Sequence, residues 1–418
     1  MHILFLTHYF PPEVNAPASR TYENTKRWVK AGHKVTAITC APNHPNGILY
    51  PGYKNLLCQW DEKDGVDIFR VKTYLSANKG FFKRTLNYIS FMISATLQCY
   101  KVKNADIVVS TSPQFFCGMA GYFISRLKGT PWILEIRDLW PESIIAVGAI
   151  KKRRVIHLLE NVETFLYQKA DRIVCLTRAF KRHITARDVE PNKISVITNG
   201  ADLQQFNPLP KNNSFREQYQ LDGKFVVSYI GTHGMAHSLG TALHAADILK
   251  SQKEIQFVLV GDGAERENLL AQKEQMGLDN LLMLPQLEKQ KIPEIIAASD
   301  ACLVLLRKSD LFKTVIPSKM FEAFAMCRPI ILGVDGESRE IVENGRCGVY
   351  VEPENAAMLA QKVEELSGDK DLCEMYGASG RRLVETQYNR DQLAADYLDL
   401  LVHGKLDLTL INGELELE

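Results

Sequence analysis

The sequence predicts an α/β protein made of two similar halves, each a parallel sheet covered by helices. Three observations carry this. Short, continuously apolar segments such as His2 to Thr7 and Ile255 to Val260 read as strands buried on both faces. Amphipathic segments such as Ala16 to Lys30 alternate with them, which is the βαβ rhythm of a parallel sheet. The pattern then restarts: after a stretch rich in Asn, Pro, Gln and charge from Ala201 to Gly223, the strand Phe225 to Ile230 runs into a glycine loop and a helix, as the opening of the chain did. The expected domains are 1–205 and 206–403, with the last helix of the second able to pack back on the first, and a tail over 404–418.

With 418 residues, 46% of them hydrophobic, the chain can bury two large cores. A net charge of +1 gives no general attraction to polyanions, so no nucleic-acid partner is expected. The opening Met1-His2-Ile3-Leu4-Phe5-Leu6 lacks a basic leader and no apolar run reaches membrane-spanning length, which points to a cytoplasmic protein. Nine cysteines occur singly, with no C-x-x-C pair and no histidine at ligand spacing. They read as reduced core residues, and no metal is expected.

In the first half, the loop after His2 to Thr7 carries His8, Glu13, Asn15 and Arg20 at the C-terminal edge of a parallel strand, where ligands bind in such sheets. Pro42 to Asp64 has little periodicity and reads as a long loop. Lys79 to Lys103 is basic without acidic residues and apolar on most faces; it fits a buried helix with basic ends, or contact with an anionic lipid surface. Arg137 and Asp138 directly follow the strand Pro131 to Ile136 and face the same edge.

In the second half, Gly231-Thr232-His233-Gly234, Gly261-Asp262-Gly263, Pro285-Gln286 and Arg307-Lys308 each follow a strand. Their glycines would let backbone amides approach a phosphate. They converge on Val315 to Ile331, where Pro317 and Ser318 open a short helix, Met320, Phe321, Phe324 and Ala325 form its apolar face, and Lys319 and Glu322 lie one turn apart. The helix start and Lys319 make an anion site, and a carboxylate one turn on can accept both hydroxyls of a ribose. A plain solvent-exposed i, i+3 ion pair is the alternative. The one D-x-D, Asp369-Lys370-Asp371, reads as a solvated turn.

These residues resemble glycosyltransferase family 4. The matching pieces are His8-Tyr9-Phe10-Pro11-Pro12-Glu13 with Gly32-His33-Lys34-Val35-Thr36, Asn199-Gly200-Ala201-Asp202 with Phe206, Gly231-Thr232-His233-Gly234, Val260-Gly261-Asp262-Gly263, and Pro317-Ser318-Lys319-Met320-Phe321-Glu322. The order and spacing cover nearly the whole chain, and the likeness is greatest to bacterial O-antigen and capsule enzymes that transfer N-acetyl-L-fucosamine. The resemblance implies the GT-B fold, two facing Rossmann-like domains with a cleft between them. It implies a retaining transfer from a UDP-sugar to a saccharide acceptor, with no cofactor or bound metal; the stretch Lys79 to Lys103 adds the expectation of an acceptor linked to polyprenyl diphosphate and of peripheral contact at the inner face of the plasma membrane.

Carried over residue by residue, the resemblance puts Glu322 on the ribose and Ser318 and Lys319 on the diphosphate. Asn15, Gly231, Thr232, Gly234, Gly261, Gly263, Gln286 and Arg307 complete the donor site. Lys319, Arg137 and Asp138 are the catalytic candidates, and His8, Glu13 and Arg20 the acceptor contacts. Thr314 stands where many members carry a second glutamate, and the first glycine loop offers His237 where they carry an arginine and a lysine. A UDP-sugar 2-epimerase on the same fold and a non-catalytic nucleotide-sugar-binding protein are the alternative readings.

Overall fold

The computed structural model describes residues 1–13, 15–77, 81–112, 114–146, 150 and 152–404. The chain forms two compact units, Met1–Thr198 with the segment from Asp391, and Asn199–Arg390. The passage between them comes before the 205/206 boundary read from composition, because Ala201 and Phe206 are core residues of the second unit.

The first unit is an eight-stranded sheet. Its strands are β1 (His2–Leu6), β2 (Lys34–Cys40), β3 (Cys58–Lys63), β4 (Val66–Val71), β5 (Ile107–Thr111), β6 (Trp132–Ile136), β7 (Arg172–Cys175) and β8 (Ile194–Val196). They lie in the order β3-β4-β2-β1-β5-β6-β7-β8. All neighbours are parallel except β3, which runs antiparallel to β4 at the edge. The Pro42 to Asp64 stretch is therefore not all loop. Cys-Gln-Trp-Asp-Glu-Lys is too polar to read as a buried strand, and an edge strand exposed on its outer side needs no apolar run. The helix Arg390–His403 supplies Tyr397, Leu400 and Leu401 to the core of this unit, and Trp28 Nε1 donates to the Ala394 carbonyl at 2.9 Å.

The second unit is a six-stranded, wholly parallel sheet of β9 (Phe225–Ile230), β10 (Ile255–Val260), β11 (Leu281–Leu284), β12 (Ala301–Leu305), β13 (Ile330–Gly333) and β14 (Gly348–Tyr350). The order β11-β10-β9-β12-β13-β14 reverses direction between β9 and β12. In such a sheet the crevice for a ligand opens at the strand C-termini on either side of that reversal. The loops after β9 and β12 meet there, joined by the Arg307 amide donating to the Ala236 carbonyl at 2.9 Å. Asp369 caps the helix Lys370–Gln387, accepting from the Leu372 amide, so the D-x-D is a helix start and not a solvated turn. All nine cysteines are free, six of them buried.

Candidate functional site

The helix Lys319–Ala325 is only seven residues long. Ser318, expected as its cap, has helical backbone angles (φ −61°, ψ −25°) and makes no capping bond, so that expectation is corrected. Two turns carry little dipole, and the burden of attracting an anion passes to side chains. What fixes the helix is its inner face. Met320, Phe321, Phe324 and Ala325 are wholly buried, Phe321 stacks on Tyr388 with centroids 4.5 Å apart, and Arg381 Nη1 donates to the Ala325 carbonyl at 2.7 Å. Lys319 and Glu322 occupy the opposite side.

Lys319 does not pair with Glu322. Its side chain turns back toward β9, and Nζ sits 3.8 Å from the centroid of the Tyr229 ring and against Gly231, where a Cβ would lie 2.7 Å from it. Nζ is shut off from solvent yet has no hydrogen-bond acceptor. Burial lowers its pKa to about 7, with Glu322 pulling the other way. The Tyr229 ring offsets part of that desolvation. Around it stand two imidazoles on the β9 loop. His233 and His237 lie 6.1 and 5.9 Å from the Tyr229 ring, and His233 Nδ1, His233 Nε2 and His237 Nδ1 are buried without partners. Burial lowers both to about 4, and Lys319 adds to the depression, so they are neutral at pH 7. Four buried nitrogens with nothing to bond form an incomplete site. Tyr229 and His233 were not assigned to the site from sequence; the one signal was a tyrosine near the C-terminal end of β9.

The half-buried Glu322 carboxylate receives no hydrogen bond or ion pair from the described residues and is open to water. Burial raises its pKa, while Arg390, Lys289 and Lys319, in that order, pull it down. Burial outweighs these three cations, and the carboxyl oxygens remain acceptors for neutral donors such as hydroxyls.

The glycine loops do a different job from the one expected. The Gly231 amide donates to the Val260 carbonyl and the Gly261 amide to the Leu284 carbonyl, so neither is offered to a phosphate. Gly261 (φ +153°) lets the two loops touch, since a Cβ there would lie 1.8 Å from the Gly231 carbonyl oxygen. Gly263 likewise accommodates the His233 backbone. Only Gly231 opens space at the site, and Lys319 Nζ occupies its edge. Gly234 has Thr232 and His237 beside it. Thr232, Gln286 and Arg307 are exposed, and Ser318 is half-buried.

In the first unit, most of the candidates are spent on the fold. Glu13 is buried and accepts from the Asn43, His44 and Phe10 amides at 2.9, 3.0 and 3.4 Å. Arg20 donates to Glu135 Oε1 at 2.9 Å and to the Thr198 and Ile197 carbonyls at 2.8 and 3.0 Å. His8 is buried among Tyr9, Tyr88 and Phe91, and burial lowers it to about 4. Glu13 and Arg20 are thus engaged within the sheet edge, whereas His8 Nδ1 is buried without a partner. Asn15 Oδ1 caps the helix Ala16–Lys30 through the Ala18 amide at 2.8 Å. Arg137 ties the end of β6 to that helix, donating to the Pro17 and Ala16 carbonyls, both at 3.0 Å. Burial pushes Asp138 up to about 6, with the neighbouring Ser143, Leu139 and Trp140 acting in the opposite direction.

Glu142, Glu163 and His183 are the one set of metal-ligand spacing among the described residues. Arg187 Nη2 already stands 2.8 Å from Glu142 Oε1 and 3.4 Å from Glu163 Oε2, and the Tyr167 hydroxyl donates to Glu163 at 2.7 Å. The three residues therefore already take part in an ion-pair and hydrogen-bond network with Arg187 and Tyr167.

Two family profiles account for the two units: residues 15–200 match the glycosyl transferase 4-like domain and residues 211–383 match glycosyl transferases group 1. The chain is a GT-B glycosyltransferase. Among curated proteins, the enzyme is 24% identical to a probable glycosyltransferase, WbjE, of Pseudomonas aeruginosa, over 76% of this chain and 80% of that one. It is 25% identical to the capsular polysaccharide biosynthesis glycosyltransferase CapM of Staphylococcus aureus, over 68% of this chain and 73% of CapM. Among solved structures, Anabaena HepE in complex with UDP-glucose superposes with a TM-score of 0.74 at 15% identity, covering 96% of this chain and 99% of HepE.

Proposed function

We propose that this glycosyltransferase uses a UDP-sugar, without a bound metal, and that Lys319, His233, His237 and Glu322 hold the nucleotide. The observation that carries the reading is a cluster of buried, unpartnered nitrogens on Lys319, His233 and His237, with a carboxylate that makes no hydrogen bond to the described residues one turn along the same helix. A diphosphate would offer acceptors to the Lys319 ammonium and the imidazole N–H groups, and a ribose would offer hydroxyl donors to the carboxylate. The UDP complexes of HepE support the choice of nucleotide by likeness of fold. Transfer with retention breaks the bond from the sugar's anomeric carbon to phosphate and forms one to the acceptor oxygen. The acceptor proton passes to the departing phosphate oxygen, and Lys319 stabilises the charge that develops there. We assign the pathway to bacterial surface polysaccharide assembly, in keeping with the likeness to CapM, and the sugar to the N-acetylated deoxyhexosamines such as N-acetyl-L-fucosamine. With donor in EDTA, UDP is expected to appear only when a saccharide acceptor is added. Release of UDP without acceptor would favour the epimerase reading, and strict dependence on magnesium or manganese would overturn the protein-only clamp.

The acceptor is proposed to be linked to polyprenyl diphosphate and met at an anionic membrane surface. No described helix is long and apolar enough to cross a bilayer. The helix Phe81–Gln98 nevertheless exposes Phe82, Leu86, Ile93 and Leu97, and the adjoining helix Phe115–Lys128 exposes Phe123 and Leu127. Lys83, Lys103 and Arg126 are exposed beside them, while Lys79 lies outside the described residues. Apolar side chains rimmed by cations match a lipid interface. The enzyme should float with phosphatidylglycerol vesicles. The pair Lys83→Gln and Lys103→Gln should weaken that by roughly tenfold or more, at about 1 kcal/mol per cation. Unchanged flotation would make the face merely structural.

A further inference from the structure

The amino group of Lys319 is enclosed by the second unit's own side chains. Its Nζ is cut off from solvent, makes no hydrogen bond, and is bounded by groups that add little negative charge. From β9 comes the Tyr229 ring at 3.8 Å, a phenol kept neutral by burial, whose hydroxyl is already committed to the Thr232 carbonyl at 2.9 Å. From the β9 loop come the two neutral imidazoles, His233 and His237, with Asp262 and Arg266 acting on His233 in opposite senses. From its own helix comes Glu322, one turn away and not in contact. An ammonium in such surroundings has lost its water and gained no counterion.

We infer that diphosphate enters this site together with a proton: in the free enzyme, Lys319 is largely uncharged above neutral pH, and it becomes an ammonium only as the anion arrives to pair with it. This rests on the reading of the site as the UDP site. The site is then nearly uncharged when empty, which explains how a lysine and two histidines share one buried space without a resident counterion. The lowering of Lys319 to about 7 places the proton linkage in the range where the enzyme can be assayed.

The sign follows from linkage. A group protonated more in the complex than in the free enzyme weakens binding as pH rises above its free-state pKa. UDP affinity should be level just below pH 7, fall by about tenfold per pH unit above it, and be about a hundredfold lower at pH 9. The terminal phosphate of UDP, with its second ionisation near pH 6, is essentially fully charged across that range and contributes no slope of its own.

The test is calorimetric titration of the full-length enzyme with UDP at pH 8, in buffers of different ionisation enthalpy. The expected result is uptake of close to one proton per UDP bound. In Lys319→Arg, whose guanidinium stays charged, any UDP binding should occur without uptake at pH 8 and with flat affinity from pH 7 to 9. Wild-type binding with no proton uptake and flat affinity overturns the inference while leaving the UDP site standing. Uptake that persists in Lys319→Arg assigns the proton elsewhere and overturns it too. Failure of the wild type to bind UDP at any pH removes the site reading itself.

Discussion

Replacing Lys319 with methionine is expected to weaken UDP binding by about a hundredfold and, at the same time, to raise the melting temperature of the unliganded enzyme. The loss follows from charge-assisted hydrogen bonds worth roughly 1.5–3 kcal/mol each, of which about 2.7 kcal/mol in total gives a hundredfold. The gain follows from what Lys319 costs the empty protein. Its folded-state pKa is lowered to about 7, well below the value of a free lysine, so the unfolded chain binds more protons between about pH 7 and pH 10. Stability therefore rises with pH across that window, and at or below pH 7 the lysine destabilises the fold by a few kcal/mol, on the order expected for a buried, unpaired ammonium. Methionine can follow the same path over the Tyr229 ring with a favourable sulfur contact and no charge to bury. A thermal scan at pH 7 should show an increase of several degrees, at about 2–4 °C per kcal/mol for a domain of this size. A fall in melting temperature alongside the lost affinity would mean that Lys319 supports the fold instead of awaiting a ligand.

Glu322→Ala is expected to weaken UDP binding by at least about tenfold, the effect of 1.4 kcal/mol, with little change in stability. The carboxylate accepts nothing within the protein, so its removal strands no donor. Burial already disfavours its charged form, which makes truncation close to neutral for the empty enzyme. In the complex, by contrast, the two ribose hydroxyls would be left without their acceptor in an enclosed site. Near-equal UDP affinities for the variant and the wild type would show that the carboxylate is only a solvated surface charge.

Much of the fold was legible because parallel strands are apolar on both faces and stand out as runs; β1, β6, β9 and β10 were all visible that way. The edge strand β3 was not, since its outer side faces solvent and its sequence reads as loop. The helix carrying Lys319 and Glu322 was legible from Met320, Phe321, Phe324 and Ala325. The direction of Lys319 was not, because its partner ring belongs to Tyr229, on a strand far away in sequence. The same limit explains the glycines. A glycine loop states that a Cβ is unwelcome, but not whether a phosphate or another loop is the reason, and at Gly261 and Gly263 it is the loop. Polar residues after β1 suffered the converse error. Arg20 and Glu13 looked available for ligands, whereas Glu135 and the Asn43 and His44 amides claim them from distant parts of the chain.

The claim on which all of this depends is that UDP lies with its ribose on Glu322, and a double-mutant cycle with 2′-deoxy-UDP tests it most directly. Four affinities are needed, for UDP and 2′-deoxy-UDP with the wild type and with Glu322→Ala. If the carboxylate accepts the 2′-hydroxyl, the deoxy nucleotide binds the wild type more weakly than UDP does, but loses much less than UDP when Glu322 is removed, because the shared hydrogen bond is already absent. The expected coupling is about 1 kcal/mol or more. If the two losses simply add, Glu322 does not touch that hydroxyl and the nucleotide is bound elsewhere or in another orientation.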